Sequence, residues 1–307
     1  MAASIHAPGR PSAESAGASC ADCHGSHDIR VRDDPASSIF HFNLPATCEK
    51  CHGAKVAGRR GAEFIKSYET SEHFRALTRA GLTLAADCAD CHGSHLIRAV
   101  ADPEARIARK NVVKTCGACH AGIERDYLQG VHGEGYLRGG ADVPICTDCH
   151  SEHAILSSED VRSAVYATRV AAVCSRCHDN EALSRRYGFR TSRFMTFGGS
   201  FHGIASEFGE ARVANCASCH GFHNIRPPSD PKSLVNTANL ARTCGRCHAG
   251  AGRNFARGKI HAVGGKASPP ARVIAALYVI LIAVVVAVSL LFIVADLWGR
   301  LRGRGTE

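Results

Sequence analysis

The 307 residues predict a mostly irregular chain with short α-helices and hardly any sheet, arranged as four repeated modules and followed by one C-terminal transmembrane helix. Three observations predict it. All sixteen cysteines fall into Cys-x-x-Cys-His motifs, the motifs recur in pairs 28 positions apart, and 23 residues near the C-terminus carry no charge.

The cysteine pairs are Cys20/Cys23, Cys48/Cys51, Cys88/Cys91, Cys116/Cys119, Cys146/Cys149, Cys174/Cys177, Cys216/Cys219 and Cys244/Cys247. Each is followed at once by a histidine: His24, His52, His92, His120, His150, His178, His220 and His248. Cys-x-x-Cys-His is the attachment sequence for c-type haem. Two thiols form thioethers with the vinyl groups, and the adjacent histidine is placed under the iron as its proximal ligand. Zinc accepts paired cysteines, but neither zinc nor disulfide formation explains a histidine at the same next position eight times. The composition therefore predicts eight covalently bound haem c groups. With only 6% aromatic residues, the porphyrin faces must supply much of the buried apolar area that side chains supply elsewhere.

The formal charge of +9 changes meaning once haem is counted. Eight pairs of propionates add about −16 and eight ferric bis-histidine centres about +8, which brings the oxidised protein near neutrality. The basic balance is thus no argument for a nucleic-acid partner.

Repeats organise the chain. Cys20 to Cys48, Cys88 to Cys116, Cys146 to Cys174 and Cys216 to Cys244 are each 28 positions apart, which defines modules at about 1–66, 67–126, 127–195 and 196–262. Together these form an octahaem domain over residues 1–262. Stretches such as RVRDDPASS and RPPSDPKS read as loops by their proline, aspartate and serine content, and short helices are expected to carry the second motifs. The first motif of each module is extended, reading CADCHGSH, CADCHGSH, CTDCHSEH and CASCHGFH. It adds His27, His95, His153 and His223. A further histidine, His6, His73, His132 or His202, precedes each first motif by 14 or 15 positions.

These eight are the candidate distal ligands. Methionine is excluded in practice, since the chain has only Met1 and Met195, so bis-histidine iron of low reduction potential is expected. The two ligands of one iron approach from opposite faces of the porphyrin, so His27 cannot complete the haem of His24. The economical assignment keeps ligands within a module: His27, His95, His153 and His223 to the haems of His52, His120, His178 and His248. The upstream His6, His73, His132 and His202 then serve the haems of His24, His92, His150 and His220. His41 reads as a surface or propionate-binding residue. His261 is the alternate distal ligand, and it enters while His6 drops out if the upstream histidines serve preceding modules.

Residues 263–272 form a linker containing GGKASPP. Val273 to Ala295 is an uncharged run of 23 residues, long enough to span a hydrocarbon core at about 1.5 Å per residue. Residues 296–307 form a polar tail with an Asp-x-Trp interface mark and an arginine run. Attachment of haem c is completed outside the bacterial cytoplasm, so the haem domain is expected in the periplasm, anchored to the inner membrane, with the arginine tail in the cytoplasm. MAASIHAPGRPSAESAGASC holds no apolar run of the export-signal kind; either a signal was removed and the chain renumbered, or the start is misassigned. The haem of His248 lies 25 residues before Val273, which makes it the expected membrane-proximal terminus.

CADCHGSH, a loop containing Asp-Pro and a closing TCxxCH, as at residues 20–52 and 216–248, resemble the doubled Cys-x-x-Cys-His family of multihaem cytochromes c. The likeness covers nearly all of residues 1–262. The apolar tail resembles membrane-bound c subunits that accompany b-type cytochromes in quinol-oxidising complexes. The resemblance implies single-electron transfer between such a membrane partner and soluble periplasmic cytochromes, without a catalytic residue. A multihaem reductase of nitrite, hydroxylamine or tetrathionate would need an open haem, and a conductive filament subunit would not need the membrane helix.

Overall fold

The computed structural model describes residues 4–7, 17–53, 61–257, 260–261 and 269–303. The linker expected at 263–272 and the tail at 296–307 lie partly outside them. Among the described residues there are helices, turns and irregular chain, and no strand. Two units separate, residues 1–260 and 261–307.

In the first unit, each first motif is a five-residue helix: α1 (Cys20–His24), α5 (Cys88–His92), α9 (Cys146–His150) and α14 (Cys216–His220). So short a helix has no interior, and its first turn is held by a side chain inside the motif. The Asp22, Asp90 and Asp148 carboxylates accept the amides of Ser19, Asp87 and Ile145 at 2.7, 2.9 and 2.7 Å, and the Ser218 hydroxyl accepts that of Asn215 at 3.1 Å. The residue just before the second cysteine is therefore a cap. Each helix then stops at a left-handed reversal, with φ +80° at Gly25, +83° at Gly93, +69° at Ser151 and +80° at Gly221.

The second motifs fall at the ends of longer helices, α2 (Leu44–His52), α6 (Arg109–Gly117), α10 (Val170–His178) and α15 (Leu240–Gly245). The expectation that a helix carries each whole motif holds for α2 and α10, so Cys51 and Cys177 are helical. It needs correcting for the other two. Helix α6 stops before Cys119 and His120, and α15 stops before Cys247 and His248. There the last turn tightens: the Cys119 and Cys247 amides each donate to the carbonyl three residues back, on Cys116 and Cys244, at 3.2 Å.

The loops between first and second motifs are irregular yet closely specified. Asn43, Asn111 and Asn239 each donate to two loop carbonyls at 2.7 to 2.9 Å. Thr47, Thr115 and Thr243 each donate to a third at 2.7 Å. Arginine and aspartate four residues apart clamp the loop entrance at Arg30–Asp34, Arg98–Asp102 and Arg226–Asp230. Module three has Leu156, Arg169 and Val173 in place of that arginine, asparagine and threonine, and an Arg162–Asp160 pair closes its loop instead.

The remaining helices of this unit are α3 (Gly61–Glu69), α4 (Glu72–Thr78), α7 (Ala121–Leu128), α8 (Val131–Leu137), α11 (Glu181–Tyr187), α12 (Arg193–Gly198) and α13 (Phe201–Glu207), with a 3₁₀ turn at Phe255–Arg257. Helices α4, α8 and α13 carry His73, His132 and His202 near their starts. The α7–α8 and α12–α13 turns are tight enough to exclude a side chain: a Cβ on Gly133 would lie 2.1 Å from the Tyr127 carbonyl oxygen, and one on Gly203 would lie 2.1 Å from that of Phe197. Side-chain packing is sparse. The one hydrophobic cluster among the described residues joins Val112, Val113, Tyr127 and Ile145, while Leu84, Phe201, Phe208 and Phe222 are largely exposed.

The second unit is α16 (Pro269–Gly303). Two prolines open it, where a missing N–H costs nothing, and it exceeds the expected 273–295 at both ends. Its stretch Arg272–Gly299, whose most apolar 18 residues have mean hydropathy 3.2, is long and apolar enough to cross a membrane.

Candidate haem-binding site

The structure gathers the histidines in pairs, but in a combination other than the economical one. His6 faces His52 with ring centroids 5.9 Å apart, His73 faces His120 at 6.1 Å, His132 faces His178 at 6.2 Å and His202 faces His248 at 6.0 Å. The upstream histidine thus meets the second motif of its own module, not the first. The extension histidines go further afield. His95 faces His24 at 6.0 Å, His153 faces His92 at 6.0 Å and His223 faces His150 at 6.1 Å, each from the following module. His220 and His261 have interactions of their own.

This corrects the pairing of His27, His95, His153 and His223 with second motifs, and of His6, His73, His132 and His202 with first motifs. The reason is local. Helix α1 ends at His24, so His27 does not share a helical turn with it. The positive φ at Gly25, and at Gly93, Ser151 and Gly221, swings the next three residues away from their own module and, in the last three cases, onto the preceding one. Ser151 is the one non-glycine among them and holds a conformation that strains an L-residue.

The gap between paired rings fits one iron. A metal–imidazole bond of about 2.0 Å and about 1.1 Å from nitrogen to ring centre place two trans rings about 6.2 Å apart. The seven centroid distances run from 5.9 to 6.2 Å. Two classes of pair alternate. The first-motif pairs His24/His95, His92/His153 and His150/His223 are near parallel, at 8°, 11° and 25°. The second-motif pairs are oblique, 55° for His6/His52 and 51° for the others.

Electrostatics favour the neutral, metal-binding form at most of these imidazoles. Burial, then the facing His178, pulls His132 down to about 4. Burial lowers His6, His73, His92, His150 and His202 in the same way, each with its facing ring as a further cause. His153 and His223 are lowered by burial as well. His92 also feels His52, and His150 feels His120, so a second motif and the first motif after it are near neighbours.

The cysteines repeat that neighbour relation. Cys48 shares a hydrogen bond with Cys88, Cys116 with Cys146 and Cys174 with Cys216, each pair joining one module to the next. Burial and then Cys116 push the Cys91 thiol up to about 11. Within modules, Cys23 neighbours Cys48 and Cys51, Cys149 neighbours Cys177, and Cys219 neighbours Cys244 and Cys247. Past the end of α6 the Cys119 thiol is exposed, whereas Cys177, within α10, is half-buried. All sixteen cysteines are free of disulfide bonds, so each remains available for a thioether.

Sequence reasoning missed two devices. His41 is a joint between modules: its Nδ1 lies 2.8 Å from a carboxylate oxygen of the fully buried Asp87, with Arg32 at 3.5 Å from the same oxygen. The other is a backbone clasp in which the amides of Ile5, Glu72 and Val131, each just before an upstream histidine, donate to the carbonyls of Ile97, Ile155 and Ile225 in the next module at 2.8, 2.9 and 2.8 Å. Its signal was present, because isoleucine stands two places after every extension histidine, at Ile29, Ile97, Ile155 and Ile225, in a shared register that only the intervening residue varies.

Compared with known families, residues 138–183 match the doubled CXXCH motif. No curated protein and no solved structure matches the chain. The match spans the third module and indicates covalent haem c binding and electron transfer of the multihaem cytochrome c type. The cysteines and paired histidines fit that group: each second-motif histidine, and His24, His92 and His150 among the first-motif ones, has an imidazole opposite it at the spacing of one iron.

Proposed function

We propose that the chain is an octahaem, membrane-anchored conduit that passes single electrons between a quinol-oxidising partner of the b-type cytochrome class and soluble periplasmic cytochromes. One observation carries the reading: seven histidine pairs at the spacing of one iron, three of which bridge consecutive modules. When bound, haem supplies the ferric/ferrous couple, and the protein sets its spacing, ligands and surroundings.

In this reading the sixteen cysteines hold the haems by thioethers and the eight motif histidines are proximal ligands. His6, His73, His132 and His202 complete the irons of His52, His120, His178 and His248. His95, His153 and His223 complete those of His24, His92 and His150. A histidine opposite each of these seven irons favours stable bis-histidine coordination over an open, substrate-binding iron. The contacts Cys48/Cys88, Cys116/Cys146 and Cys174/Cys216 support a haem order that follows the sequence, so an electron has a continuous route through the modules. The apolar helix α16 supports anchorage in a membrane, and covalent attachment of haem outside the cytoplasm is the reason for reading the haem domain as periplasmic at the inner membrane.

The test uses membranes containing the matured protein. A pyridine haemochrome assay with intact mass should give eight haems per chain, and a reduced quinol analogue should reduce them when the b-type partner is present. Reduction by dithionite but not by quinol, in membranes with an active partner, would refute the conduit role; six or fewer haems would refute the octahaem reading.

A further inference from the structure

Resting on the proposed conduit, we infer that the Asp87 carboxylate, in the joint between modules one and two, takes up a proton when a haem beside it is reduced and releases it on reoxidation. The joints share a register but not a chemistry. Two places before Asn43, Asn111 and their counterpart Arg169 stand His41, Arg109 and Ala167, and each of the three reaches the start of the next module's first motif. Arg109 donates to the Asp148 carboxylate and to the Ala141 and Val143 carbonyls, which makes the second joint a fixed charge pair. The Ala167 carbonyl accepts the Asn215 side-chain amide at 3.0 Å, without charge. Only the first joint sets two titratable groups against each other, with His41 Nδ1 2.8 Å from Asp87 Oδ2.

Asp87 is the one buried acidic residue among those described, and its side chain is wholly removed from solvent. Its two oxygens differ. Oδ1 accepts the amides of Ala89 and Asp90 at 2.8 and 3.2 Å, whereas Oδ2 completes no hydrogen bond. A buried carboxylate oxygen left this way favours the protonated form. The charged and titratable groups facing it are Arg32 and His41 from module one and Asp90 and Tyr68 from module two, with Cys48 and Cys88 alongside. Burial and then Asp90 raise the Asp87 carboxyl above the usual carboxylate range, against the backbone amides and His41.

Arg32 decides against a metal in this cluster. His41, Asp87 and Asp90 do converge within 4.8 Å, but a guanidinium only donates, so His41 Nε2 accepts from Arg32 at 3.1 Å. Nδ1 then carries the ring proton and has no lone pair for a cation. The same bond denies His41 a second proton, which leaves Asp87 Oδ2 as the place for it.

Position couples this carboxyl to electron flow. Asp87 immediately precedes Cys88, and its charge bears on both Cys48 and Cys88, the thioether residues of the haems of His52 and His92 in the proposed reading. An electron arriving on either iron adds one negative charge beside a group shielded from water, and that charge raises the proton affinity of the carboxyl. One proton from solvent then binds Oδ2, no bond breaks, and reoxidation returns it. Access runs past His41 and Arg32, whose side chains are 20% and 46% exposed. Between the carboxyl's pKa in the oxidised and in the reduced state, the haem potential falls as pH rises, by up to about 59 mV per unit for one electron.

The experiment uses the full, haem-loaded protein on an electrode, which needs no quinol partner, with reduced-minus-oxidised infrared difference spectra recorded over a series of pH values. Wild type should gain the carbonyl stretch of one protonated carboxyl on reduction, at lower frequency in deuterium oxide. Asp87→Asn should lose that band and flatten the pH dependence of the potential with its haem count unchanged, while Asp148→Asn, at the second joint, should keep both. Arg32→Gln removes the cation facing Oδ2 from a half-exposed position, and it should move the pH range of uptake upward. That shift tests the inference independently of whether Asp87→Asn matures. The same band in Asp87→Asn would place the proton on a haem propionate and overturn the inference, as would an unmoved range in Arg32→Gln. Reversible reduction of wild type with no proton taken up would overturn it as well, and would leave the conduit role standing.

Discussion

His95 stacks on His24 with ring centroids 6.0 Å apart and planes 8° from parallel, although 71 positions of chain separate them and they belong to different modules. A first-motif histidine thus has its facing imidazole from outside its own repeat. His95→Ala should open the haem of His24 and leave that of His120 intact. Electron paramagnetic resonance should show one high-spin ferric centre per molecule. The signal should vanish when Cys20 and Cys23 are also replaced by serine, so that the haem of His24 is never attached. Persistence of the high-spin signal in that combined variant would return His95 to the His120 haem.

Ring planes predict two low-spin populations. Parallel imidazoles split the iron π-orbitals strongly, whereas crossed ones leave them closer in energy and make the g-tensor more anisotropic. The pairs at 8° to 25° should give ordinary rhombic spectra, and those at 51° to 55° a class with larger maximum g. His132→Ala should remove one centre from the second class alone. Loss from the rhombic class would contradict the pairing of His132 with His178.

Strain at the third reversal can be relieved. Ser151 holds φ +69° where three modules have glycine, so Ser151→Gly should stabilise the holoprotein by about 1 kcal/mol, and Gly93→Ala should destabilise it by about 1–3 kcal/mol. Denaturant unfolding followed by haem absorbance measures both, and a destabilised Ser151→Gly would count against the strain.

His41 is assigned a structural role, which separates it from the ligands. His41→Ala takes away the imidazole that lies 2.8 Å from the buried Asp87 carboxylate, and the loss should cost about 1–3 kcal/mol. Haem count and spin state should not change. A high-spin haem in that variant would show that His41 coordinates iron.

What could be read in advance was local. Cys-x-x-Cys-His needs five consecutive residues, so the eight motifs with their sixteen cysteines and eight following histidines were legible from spacing, as was α16 from its apolar length. Where each helix stops within a motif was not: Cys177 lies inside α10 and Cys119 beyond α6, although both occupy the same place in the repeat. The facing rings were hidden too, because the direction in which His95 leaves its module follows from the positive φ at Gly93 and the clasp between Ile5 and Ile97. The loops looked merely polar in sequence, yet Asn111 and Thr115 hold theirs by three hydrogen bonds. Module three shows that neither residue type is obligatory, since Arg169 and Val173 stand there instead.

The donation of His95, His153 and His223 to the preceding module also sets a schedule for making the protein. On the proposed ligation, a chain emerging from its N-terminus acquires the cysteines and proximal histidine of a first motif well before the residue that closes its iron has been synthesised. The irons of His24, His92 and His150 would therefore each lack a second histidine until the next repeat arrives, while the haem of His52 would need only His6, already in place. Biogenesis proceeds one step out of phase with synthesis. A product truncated after module two is trapped with the iron of His92 open and reactive toward small ligands, a lesion that neither of its intact modules would reveal when inspected separately.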